Sequence, residues 1–165
     1  MGGISTIGAA HVWMGSVALV SAAAVLMLAK GTARHGRVGR VYAAAILAIN
    51  GTALSMYDLT GRPNVFHVIA LVNLATLAMG LLALRWWRRT HEPGDLVTHQ
   101  RRMAMSYVGV WMAFVTELLV NPMMGVSRMS DPRNHWPLMI ALYLALFVTG
   151  GWLVLTRLTV TTVRA

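Results

Sequence analysis

Apolar residues dominate this chain in five long runs, and polar residues gather in the short stretches between them. The runs extend approximately over 9–29, 41–59, 65–84, 103–126 and 137–158. A bilayer's hydrocarbon core is ~30 Å thick and takes about 20 helical residues to cross. Each run meets that length. Backbone N–H and C=O groups find no water in lipid, so the pattern predicts helices throughout. The fold class that follows is all-α: a polytopic transmembrane helical bundle of five spans in a single integral membrane domain, 1–165. Gly51, Gly80, Gly109, Gly150 and Gly151 fall inside the runs, where small residues let helices approach closely.

Composition supports this reading. Hydrophobic residues make up 57% of the chain and charged ones 12%, too few to clothe a soluble domain. The net charge of +9 does not form a face that could follow a phosphate backbone, so no nucleic acid is expected. Its basic clusters suit anionic lipid headgroups of the bilayer instead. The N-terminus has no positive n-region, so the first span is expected to be retained rather than cleaved.

Basic residues also set the orientation. Lys30, Arg34, Arg37 and Arg40 fall between runs one and two, and Arg85, Arg88, Arg89, Arg101 and Arg102 between runs three and four. The second connection holds only Arg62, the fourth Arg128 and Arg133 beside Asp131, while Arg157 lies at the end of the last run and Arg164 after it. The positive-inside bias then predicts an outer N-terminus and a cytoplasmic C-terminus. Trp86, Trp87, Trp136 and Tyr57 fall near the predicted interfaces, where amphipathic rings are favoured.

Four of the six histidines fall in a repeated pattern. His11 precedes Ala29 by 18 residues (29 − 11) and His67 precedes Arg85 by 18 (85 − 67). At ~1.5 Å per residue both lie about 27 Å from the cytoplasmic edge. His35 and His99 precede runs two and four, each followed by arginines and a tyrosine, Tyr42 or Tyr107. Runs one to four therefore read as two parallel hairpin repeats forming a four-helix core, with a fifth helix appended. Such a core would set His11 opposite His67 near the outside and His35 opposite His99 near the cytoplasm.

Paired neutral imidazoles at one depth are what the two axial positions of a haem b iron require. Arg37, Arg40, Arg101 and Arg102 are candidate partners for its propionates. The function expected is transmembrane electron transfer, with a quinone or another redox membrane protein as partner. If the chain belongs to an enzyme at all, it is as a component of a membrane oxidoreductase. The alternative is a non-redox protein without haem, either an accessory subunit of a larger complex or a small transporter working as a homo-oligomer. His91 and His135 read as interfacial residues, and Asp58 with Arg62 as an outer-surface pair.

Other polar residues in the runs include Glu117, Asn50 and Asn73. Glu117 must be protonated, paired or facing a polar cavity, and the asparagines suit hydrogen bonds between helices. His11–Met14 and His99–Met103 have spacings that suit copper, but the 12 methionines are scattered as apolar filler, so copper is not expected. The chain has no cysteine, which removes thiolate ligation and thiol nucleophiles.

The segments Lys30-Gly31, His35 to Tyr42, Pro63 to His67, His99 to Tyr107, Phe114 to Glu117 and Asn121-Pro122 resemble a family of small bacterial membrane proteins known as domain of unknown function 2306. That resemblance implies the same helical fold in a bacterial inner (plasma) membrane and implies no activity. His11 with Met14, then Lys30 and His35, is more distantly similar to the first hairpin of the four-helix haem core of cytochrome b-561 type proteins. There, histidines pair first helix with third and second with fourth. This chain departs from that core in depth, because His35 and His99 fall at or outside the apolar boundary.

Overall fold

A computed structural model describes residues 5–57, 61–120 and 136–157. Five helices make up its regular structure: α1 Thr6–Met27, α2 Ala33–Ser55, α3 Val65–Thr90, α4 Pro93–Val120 and α5 Trp136–Arg157. Among the described residues, three of them are long and apolar enough to cross a membrane: Thr6–Met27, Ala33–Ser55 and Phe66–Thr90. The described apolar stretch of α5, Ile140–Thr156, is shorter. The chain divides into two compact units, residues 1–79 and 80–165, with α3 running through the division.

In the first unit α1 packs against α2. Ser5 caps α1 by accepting from Gly8 N–H at 3.1 Å. At the other end Lys30 Nζ donates to the Val25 and Leu26 carbonyls, at 3.0 and 3.2 Å, where a cation meets the negative end of the helix dipole. Partial burial there pulls the lysine pKa below its ordinary value. Gly31 takes φ +78, a left-handed turn, and Thr32 then caps α2 by accepting from His35 N–H at 3.2 Å. Ala18 and Ala22 of α1 and Ala45 and Ile46 of α2 are buried. A Cβ on Gly15 would stand 3.1 Å from Ile49 Cδ1, so α2 crosses α1 close to that glycine.

The second unit holds the end of α3 with α4 and α5. Arg88 and Arg89 occupy the last turn of α3, matching its dipole. His91 stops that helix in a left-handed conformation, φ 56, and its N–H bonds the Trp87 carbonyl at 2.8 Å. After Glu92, Pro93 opens α4 with Asp95 in its first turn. α5 packs on α4, and a Cβ on Gly150 would lie only 2.6 Å from Val108 Cγ1.

One expectation needs correction. Arg34, His35, Arg37 and Arg40 lie within α2, not in a connection before it, because α2 begins at Ala33. Likewise Arg85, Arg88 and Arg89 belong to α3, while His99, Arg101 and Arg102 belong to α4. Hydropathy marks where an apolar run stops, whereas a helix continues until a cap or breaker ends it.

Candidate functional site

His11 sits half-buried on α1, and its Nδ1 lies 2.9 Å from Thr52 Oγ1 on α2. The Thr52 hydroxyl also lies within bonding distance of the Ala48 and Ile49 carbonyls, at 3.0 and 2.9 Å. A hydroxyl has one proton, and carbonyls only accept, so that proton goes to the backbone. Thr52 must therefore accept from His11, which makes Nδ1 the protonated nitrogen and Nε2 the basic one. An imidazole that anchors Nδ1–H in this way presents the nitrogen suited to an iron.

His67 lies near the start of α3 and is buried, with 7% of its surface exposed. Its Nδ1 is 3.2 Å from Asn64 Oδ1, to which the Nδ1–H tautomer donates, and 3.3 Å from Asn64 N–H, which donates to the ring in the other tautomer; the former leaves the lone pair on Nε2. The Tyr57 ring packs over the imidazole with centroids 4.8 Å apart. Asn64 Oδ1 also accepts from Phe66 N–H at 2.9 Å, so this side chain both starts α3 and holds the histidine. His67 Nε2 is buried without a hydrogen-bond partner. A buried polar atom left unpaired costs ~1–3 kcal/mol, and a ligand bond would remove that cost.

The two histidines nearer the basic helix ends differ from each other. His99 donates from Nδ1 to the Gly80 carbonyl at 2.8 Å, because a carbonyl can only accept. Gly80 is buried where α3 and α4 meet, and a Cβ there would lie 3.2 Å from Arg102 Cβ. The glycine thus admits the close approach that lets the ring reach a backbone carbonyl. His35 buries its Nδ1 without a hydrogen-bond partner.

Among the candidate propionate partners, Arg37, Arg40 and Arg102 are exposed. Arg101 is half-buried and keeps Nε out of solvent with no acceptor. Asn50 is buried but bonds its own helix, from Nδ2 to the Ile46 carbonyl at 2.8 Å. Asn73 buries Oδ1 without a partner. Glu117 falls within α4, but its side chain lies outside the described residues, as do Asp58, Asn121, Pro122 and His135. No group of three or more His, Asp or Glu side chains suited to a metal ion occurs among the described residues.

Sequence reasoning missed Thr52, Asn64, Tyr57 and the Gly80 carbonyl. Thr52 stands 41 residues from His11, so only packing of α2 on α1 brings it there. Asn64 was legible in principle, because Asn three residues before His67 at a helix start is a capping signal. Comparison with family models, curated proteins and solved structures yields no match for this chain.

Proposed function

We propose that the chain is an integral membrane protein of five spans, N-terminus outside, that holds haem b between His11 and His67 and carries electrons. The observation that supports this most is at His67: an imidazole anchored through Nδ1, buried, with Nε2 lacking a partner. His11 has the complementary preparation, since Thr52 fixes its tautomer. The donor set fits a b-type group, because the chain has no cysteine for thioether attachment or thiolate ligation. Bound there, haem would supply one-electron redox chemistry.

The chain's own part is to bind, orient and seclude. Thr52 and Asn64 each hold one imidazole by its Nδ1, and Tyr57 covers one face of His67. The electron partner is a quinol or a redox membrane protein. The resemblance to the cytochrome b-561 haem core supports the outer pair and departs in the depth of His35 and His99.

The test is a dithionite-reduced minus oxidised spectrum of protein purified in mild detergent from haem-replete cells. A b-type Soret and α band that disappears in His11→Ala and in His67→Ala is the expected result. A colourless wild-type preparation sinks the proposal. A second reading, an accessory subunit packed against a larger partner, is favoured by the large apolar residues exposed on α1: Trp13 at 71%, Val20 at 71% and Met27 at 88%. A native gel of mildly solubilised membranes separates the two, because an accessory subunit migrates with its partner.

A further inference from the structure

The N-terminal end of α2 carries an unusual charge arrangement. Arg34 and Arg37 lie in its first turns, Arg40 follows, and the first turn holds no acidic residue. The positive end of the helix dipole is there as well, so like charges accumulate. All three arginines are exposed, and no hydrogen bond or ion pair holds their guanidinium groups among the described residues. No Asp or Glu occurs anywhere in residues 1–57. The countercharge must come from outside this segment.

The same face of α2 then changes character abruptly. Val41, Ala44, Leu47 and Gly51 continue the exposed stripe at helical spacing beyond Arg34 and Arg37, while Tyr42, Ala45, Ile46 and Asn50 are buried. From Val41 to Gly51 is ten residues (51 − 41), or about 15 Å of helix, the depth of one leaflet of a ~30 Å core. Ala44 and Gly51 also leave this stripe shallow beside the larger Val41 and Leu47.

We infer that this face of α2 is a binding site for one anionic glycerophospholipid, its phosphodiester on Arg34, Arg37 and Arg40 and an acyl chain along Val41, Ala44, Leu47 and Gly51. The juxtaposition selects an amphiphile. A free phosphate would use only the arginines, and a zwitterionic lipid brings its own cation to a site already rich in them. Guanidinium groups suit a phosphodiester because they offer paired donors to its oxygens. This inference rests on the membrane reading and is independent of haem.

Native mass spectrometry of the full chain, released from detergent with lipid added, tests it. Phosphatidylglycerol should be retained in preference to phosphatidylcholine. The Arg34→Gln/Arg37→Gln/Arg40→Gln variant should lose that retention by roughly a hundredfold, at about fivefold per basic residue near the headgroups. Ala44→Trp, which fills the stripe and leaves the arginines, should also weaken it, and inorganic phosphate should not displace the lipid. If the triple variant fails to fold, Ala44→Trp and the phosphate arm decide. Equal retention of the two lipids overturns the site, as does an equal loss in Arg85→Gln/Arg88→Gln/Arg89→Gln. Displacement by phosphate with Ala44→Trp silent overturns it too, in favour of a free-anion site. Failure of the membrane reading would look different: the chain would stay dispersed without detergent.

Discussion

Gly150→Ala tests whether α4 and α5 meet as closely as the structure has them. The added Cβ would lie 2.6 Å from Val108 Cγ1, 2.8 Å from Cγ2 and 3.3 Å from Cβ. Ordinary carbon contacts lie near ~3.5–4.0 Å, so about 1 Å of relief is needed. Rotating Val108 gives none, since both of its methyl groups are already against the glycine and its χ1 is stiff. The helices must part, at a cost typical of overpacking, ~1–3 kcal/mol. Removing a helical glycine returns roughly 0.5–1 kcal/mol. The net expectation is a loss of about 1–2 kcal/mol. In a Val108→Ala background the two methyl groups are gone, and the same substitution should become neutral or stabilising.

Pulse proteolysis across an SDS titration in mild detergent measures this double-mutant cycle. Gly151→Ala is the control, because its nearest neighbour would be Met105 Cε at 4.0 Å, an ordinary contact. A coupling near zero between positions 150 and 108 would refute the close approach. So would a stabilising Gly150→Ala in the wild-type background.

Two further predictions concern the site and the orientation. Thr52→Val keeps the shape of the side chain but removes the acceptor that fixes the His11 tautomer, and it should weaken haem retention by about 10- to 100-fold; titration of the apoprotein with haemin checks this, and wild-type affinity would mean that Thr52 does not position His11. Because the chain has no cysteine, single replacements report topology cleanly. Ser5→Cys should react with an impermeant maleimide added outside intact cells, and Thr90→Cys only after the membrane is opened; the opposite pattern would reverse the orientation.

Helix content, and the three helices among the described residues able to cross a membrane, were legible in the chain because they rest on local quantities: apolar length and the demand that backbone groups pair within one segment. Helix ends were less legible. Arginines at 34, 37 and 40 read as a connection, yet Thr32 and Gly31 had already started a helix ahead of them. Capping is a hydrogen-bond property of a few residues and leaves little trace in hydropathy. The four histidines could be picked out by their spacing, and their tautomers could not. His11 owes its protonated Nδ1 to Thr52, 41 residues away, and His99 to a carbonyl that only Gly80 leaves within reach. His35 and His99 look alike in sequence, each set before arginines and a tyrosine. The tertiary structure separates them: the close approach at Gly80 offers the His99 ring a backbone acceptor, whereas His35 Nδ1 is buried without a partner, and which of the two results is set by packing.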